Sequence, residues 1–146
     1  MGTERGVAPF IGEHTRVVEL RGRTVLENHT AALLEPYPGK SDERGMPFVD
    51  PEMLKKIVTR LDIDAVQVHF HAIGDAAIRQ SLDAVEAART SNGNLGNRHH
   101  VSHIELFDPA DIPRFQQLEV VANSQPPWAC EAGVNFLGSA QRPGLA

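Results

Sequence analysis

From Asp50 to Ser124 the chain alternates three times between the 3.6-residue repeat of a helix and the short apolar run of a strand. Asp50-Pro51-Glu52 opens the first helix, with a capping acid, a proline whose missing N–H costs nothing, and a second acid in the first turn. Met53, Leu54, Ile57, Val58 and Leu61 then share one face. Residues 65–72 form a strand that Gly74 breaks, and Asp75 opens a second helix. Its buried stripe is Ala77, Ile78, Leu82 and Val85, with Arg79, Asp83, Glu86 and Arg89 turned to water. The Gly/Asn stretch SNGNLGN ends that helix, residues 100–106 form the next strand, and DPADIPRFQQLE repeats the Asp-Pro start with Pro113 in its first turn or at a bend. Residues 120–124 form a further strand, and RVVEL at 16–20 is one upstream. Between them, residues 36–50 combine prolines, glycines and charges and are predicted to be an exposed loop. Alternation of this kind predicts an α/β domain with parallel strands and right-handed crossovers, either an open Rossmann-like sheet or an α/β barrel.

Composition narrows the function classes. A chain of 146 residues is one ordinary domain, and no apolar run approaches the roughly 20 residues that cross a bilayer. Nineteen acids against 14 bases leave a net charge of −5, which argues against a nucleic-acid partner. The single cysteine, Cys130, excludes an intramolecular disulfide, and MGTERGVAPF lacks the basic-then-apolar pattern of a secretory signal. The expectation is a soluble, cytoplasmic domain with neither membrane nor nucleic acid among its partners.

Seven histidines stand out in such a chain, and they are clustered. His69 and His71 lie two apart on one strand and therefore share a face, while His103 lies on the next strand. Neighbouring strands are about 4.8 Å apart, close enough for imidazoles on adjacent strand ends to converge on one ion at about 2.0–2.1 Å from each nitrogen. A lone histidine at a strand end is more often a hydrogen-bonded structural residue than a ligand. Two successive strands each ending in histidine make the two readings about equal. Spacing does not name the metal, because imidazole serves several.

VHFHAIGDAAIRQSLDAVEAAR, RHHVSHIELFDPADIPRF and VVANSQPPWA, preceded by ENHTAALLEPY, resemble in that order the amidohydrolase superfamily, specifically its amidohydrolase-3 branch, over roughly residues 16–130. The resemblance implies a metal-dependent hydrolase on a TIM-like (β/α)₈ barrel, with this chain a single partial barrel domain over 1–146 that holds about strands four to seven. It implies His71 and His103 as metal ligands from the fifth and sixth strands, a divalent metal that is most often zinc, and a small-molecule substrate with a C–N bond of amide, urea or cyclic imide type. Metal-activated water would attack the carbonyl while a carboxylate carries the proton to the leaving nitrogen. His69 matches a position beside the ligand, in the pocket lining or behind it. Gln125 and Trp128 follow the seventh strand, where loops of such barrels meet substrate.

The sequence also departs from the family pattern. No HxH pair precedes residue 69, and the eighth-strand Asp would lie beyond residue 146. The fourth-strand Lys of the branch aligns with Glu19, a candidate oxygen ligand whose plainer reading is an exposed strand residue, and the sixth-strand Glu aligns with Ser102. A whole barrel takes about 250 residues. Two readings therefore stand together: part of an active amidohydrolase, or a non-catalytic truncated barrel piece with at most weak metal binding. In either case open strand edges predict self-association.

Overall fold

A computed structural model of the chain describes residues 16–20, 29–47 and 49–124. The order is β1 (Arg16–Leu20), α1 (Pro51–Ile63), β2 (Val66–Ala72), α2 (Asp75–Asn92), β3 (His100–His103), a 3₁₀ turn (Pro109–Asp111), α3 (Ile112–Gln117) and β4 (Val121–Ser124). All three strand pairs are parallel, and the sheet runs β1-β2-β3-β4 without a reversal. A sheet in which sequence neighbours are also spatial neighbours has no point where the direction of winding switches.

Local chemistry sets the element ends. Asp50 accepts a hydrogen bond from the Met53 N–H at 2.9 Å and so caps α1, with Pro51 behind it. Asp108 does the same for the 3₁₀ turn by accepting from Ala110 N–H at 2.9 Å, and Pro113 lies in the first turn of α3. The β3 strand is shorter than the pattern over 100–106 predicts, ending at His103, because His103 and Ile104 both take positive φ.

The sheet has two unlike faces. Along β2, Val66, Val68, Phe70 and Ala72 are buried while Gln67, His69 and His71 are half-buried. The buried face meets Leu54 and Val58 of α1 and Ile78, Leu82, Val85 and Ala88 of α2, with Val101 of β3 completing one apolar cluster. Two side chains depart from the simple helical stripes. Met53 is exposed, and Arg89 is held against Asp62 instead of facing water.

That contact belongs to a buried polar node at the end of the sheet where the strands begin. Asp62, wholly buried, accepts from Asn92 at 3.0 Å, from Asn97 at 2.8 Å and from His99 Nε2 at 3.0 Å, with Arg89 at 3.4 Å. His99 is buried too, and its Nδ1 accepts the Val68 backbone N–H at 3.1 Å. That acceptance fixes the tautomer, with the proton on Nε2 donated to Asp62. One carboxylate thus joins α1, α2, the loop before β3 and β2. Burial alone would raise the Asp62 pKa, but the hydrogen bonds from Asn92, Asn97 and His99 hold it below the usual carboxylate range. Burial pushes His99 down, against the pull of Asp62.

Two outcomes follow from this node. Asp62→Ala takes the carboxylate from Arg89, from the buried His99 Nε2 and from the half-buried Asn92 and Asn97, and is expected to cost about 3–5 kcal/mol in chemical denaturation. Asp64→Ala, which removes only an exposed pair with Arg60, is expected to cost less than about 1 kcal/mol. His99 has a lower pKa folded than unfolded, so the unfolded chain binds the extra proton. Stability is therefore expected to rise with pH up to about 6.5 and to level off above it. Burial lowers His100 as well, in the same direction. Unfolding midpoints across this range check the sign, and His99→Gln should flatten the slope.

Candidate metal centre

The half-buried face of the sheet carries a row of imidazoles. His69 stacks on His71 with ring centroids 5.3 Å apart, and His100 tilts against His69 at 5.7 Å. His71 Nδ1 lies 2.7 Å from His103 Nε2, with the rings 4.8 Å apart. One nitrogen must carry the proton for that contact to be a hydrogen bond. Two nitrogens bound to one tetrahedral ion at about 2.0–2.1 Å sit about 3.3 Å apart. The pair therefore needs to open by about 0.6 Å to accept an ion in place of the shared proton.

The backbone register makes this meeting unexpected. In a parallel ladder, paired residues point to the same side. His69 pairs with His100 and His71 with Ser102, which puts all four on the half-buried face. His103 pairs with Ala72, on the helix-covered face. Strict alternation would therefore send the His103 ring away from His71. Instead φ at His103 is +77° and at Ile104 +51°, and the left-handed pair turns the ring back across the sheet. For residues with a Cβ this conformation costs about 1–2 kcal/mol each, most for a β-branched one. Bonds from Ile104 N–H to Ala72 O at 3.1 Å and from Leu106 N–H to Ile73 O at 3.0 Å hold the chain there.

His69 Nε2 lies 2.5 Å from Ser102 Oγ. Ser102 is buried and ties His69, the first histidine of β2, to β3. Of the other sequence candidates, Glu19 has its backbone opposite His69, two positions short of the level of His71. Gln125 and Trp128 lie outside the described residues. Among the described residues no group of three or more His, Cys, Asp or Glu is arranged to hold an ion together.

A wall stands beside this end of the sheet. Asp75 Oδ1 accepts from Leu34 N–H and from Ala76 N–H, both at 2.9 Å, so the Asp of HAIGD also pins an upstream segment in addition to starting α2. A Cβ at Gly74 would stand 2.2 Å from Ala32 O, so glycine is required by the close approach of that segment. Leu33 and Tyr37 pack on Leu106, and Tyr37 Oη donates to Ala31 O at 2.8 Å. Tyr37 is thus buried within a stretch, 36–50, whose other described side chains are exposed or half-buried. Helix-start chemistry explains Asp75 in the sequence. Its long-range bond to Leu34 carries no local signal.

Comparison with known proteins gives this geometry a context. The sequence profile of the amidohydrolase family matches residues 14–144. The chain is 34% identical over 101 residues to Protein LONG AFTER FAR-RED 3 of Arabidopsis thaliana, covering 69% of this chain and 17% of that protein. It is 30% identical over 102 residues to the putative amidohydrolase YtcJ of Bacillus subtilis (strain 168), covering 69% of this chain and 18% of that one. The chain thus spans less than a fifth of the length of these two curated relatives. An uncharacterised metal-dependent hydrolase from Pyrococcus furiosus superposes with a TM-score of 0.60 at 26% identity, over 75% of this chain and 22% of the other. Another from Pyrococcus horikoshii OT3 gives 0.59 at 28% identity, over 70% and 20%.

Gly74→Ala is expected to lose about 2 kcal/mol or more, because the new methyl meets a backbone carbonyl that cannot step aside. Asp75→Ala should cost about 1.5–3 kcal/mol, the range for a bond from a charged group. In both variants limited proteolysis within residues 38–44 should speed up, and an unchanged cleavage rate would show that the wall is held otherwise.

Proposed function

This chain belongs to the amidohydrolase family, and on that premise we propose that it forms strands four to seven, with their helices, of a metal-dependent hydrolase barrel acting on C–N bonds of small amides, ureas or cyclic imides. The observation that carries the reading is the 2.7 Å approach of His71 Nδ1 and His103 Nε2. Support for the barrel comes from the unreversed parallel order of four strands and from helices α1 and α2 packed on one face only. Support for a metal comes from the donor set, two imidazole nitrogens aimed at one point, and from the solved neighbours, which are metal-dependent hydrolases.

In this reading His71 and His103 hold a divalent ion, with zinc the proposed occupant because imidazole pairs are among its usual ligands. Glu19 is the proposed further oxygen ligand. Bound there, the ion would supply a water acidic enough to ionise near neutrality and a polarised carbonyl. The residues of this chain do the rest of the positioning. His69 holds Ser102 and stacks behind His71, which restricts rotation of the ligand ring. The wall of residues 31–37 borders the strand ends where substrate would enter. Gln125 and Trp128 are proposed to line the same pocket.

The second reading, a non-catalytic piece of such a barrel, draws on the pair itself. A catalytic zinc takes three protein ligands plus water, and the described residues bring two imidazoles together. The 146 residues alone are therefore expected to bind Zn²⁺ weakly and to hydrolyse little. Among the described residues β1 and β4 are the outer strands of the sheet, and edges left open there would favour self-association or docking onto the rest of a barrel.

Co²⁺ or Zn²⁺ titration of the purified chain, followed by metal analysis, tests the assignment. His71→Ala and His103→Ala should each abolish the tightest binding step, while His29→Ala should leave it in place. Metal binding unchanged in both ligand variants would overturn the proposal. Size-exclusion chromatography checks the edges, and a sharp monomer peak would argue against association.

A further inference from the structure

We infer that Ile104 is a positioning residue for the His71–His103 pair, and that the left-handed stretch His103-Ile104 is the device that carries His103 from the helix-covered side of the sheet to the histidine row. The inference rests on the reading of those two histidines as ligands, and it adds a residue that touches neither metal nor substrate.

Register supplies the need. His103 pairs with Ala72, and its alternation neighbour Val101 is wholly buried among the helices. A strand that continued straight through residue 103 would put an imidazole into that apolar layer and leave His71 alone. The chain avoids this with two successive positive φ values, +77° and +51°. Ile104, being β-branched, is a residue type that resists this conformation when nothing else acts on it.

What holds it is also visible. The Ile104 side chain is packed against the main apolar cluster, and its N–H bonds to Ala72 O at 3.1 Å. The next anchor, Leu106, is 6% exposed, packs with Leu33 and Tyr37, and bonds through its N–H to Ile73 O. Four contacts, two apolar and two hydrogen-bonded, thus over-determine a conformation that the residue itself disfavours, the pattern expected where backbone strain serves a site. Ile104 acts through its backbone, with its side chain as the peg.

The test separates backbone from side chain. Proline at 104 imposes a negative φ, removes the N–H that bonds to Ala72, and drives residue 103 into the extended region. Asparagine loses the apolar peg but tolerates the left-handed region. In the ¹⁵N-labelled chain, the through-bond ¹⁵N–¹⁵N coupling between His71 Nδ1 and His103 Nε2 reports the pair directly, without metal. Ile104→Pro is expected to lose that coupling and to weaken Zn²⁺ binding by about tenfold or more, the range seen when support behind a ligand is removed. Ile104→Asn is expected to keep the coupling and to bind within about threefold of the parent, because its backbone reaches the same region.

A folded Ile104→Pro chain that retains the coupling would overturn the inference, and so would an Ile104→Asn chain that loses it. If the proline variant fails to fold, the parent chain decides. Strong intraresidue HN–Hα contacts at both His103 and Ile104 mark positive φ and support the device, whereas weak ones with the coupling still present would refute it. A chain that keeps coupling and positive φ but takes up no Zn²⁺ would refute the metal reading and leave the positioning of His103 intact.

Discussion

The carboxylate of Asp62 anchors the end of the sheet where the strands begin. From α1 it gathers hydrogen bonds from α2 and from the loop before β3, and through His99 it reaches the backbone of β2 at Val68. A buried charge is tolerable only when its lone pairs are used, and here a histidine, two asparagines and an arginine use them. Because His99 both bonds to β2 and immediately precedes β3, the node fixes how far β3 slides along β2. A one-residue slip would exchange the two faces of β3 and send Val101 into the histidine row.

The opposite end of the sheet depends on that register. With His71 level with Ser102, the strand must bend at His103 for the two ligand candidates to meet. The bend is strained, and it is held by hydrogen bonds to β2 and by apolar contacts of Ile104 and Leu106. A stiff polar node, its Asp62 carboxylate fully hydrogen-bonded and only the buried Arg89 Nε left without a partner, stands at one end, and a conformationally costly turn stands at the other. In the proposed reading they divide stability and function between the two ends. Barrel enzymes show the same division, with the far end of the strands serving stability and the C-terminal ends serving chemistry.

Much of this was legible in the residues. The capping acids Asp50 and Asp108, the period of α1 and α2 and the apolar β2 run predict elements that the structure places within a residue or two, because each depends on contacts only a few positions apart. The face shared by His69 and His71 follows from a strand's period of two. Arg89, spaced like a solvent-facing residue, escaped that logic because its partner Asp62 sits 27 residues away. His99 escaped it too, since nothing in RHHVSH distinguishes a wholly buried histidine from a half-buried neighbour.

By itself, then, the sequence determined the alternation of helix and strand, the parallel sheet that alternation requires, and membership of a family carried by four ordered segments. These are local patterns or their direct sum. Only the tertiary structure decided that His103 faces His71, because alternation along β3 points the other way and a pair of positive φ values reverses it. Only the tertiary structure, likewise, gave Gly74 and Asp75 their second task, holding residues 31–34 beside the strand ends. In both cases the deciding partner lies more than thirty positions away in the chain, beyond the reach of any local rule.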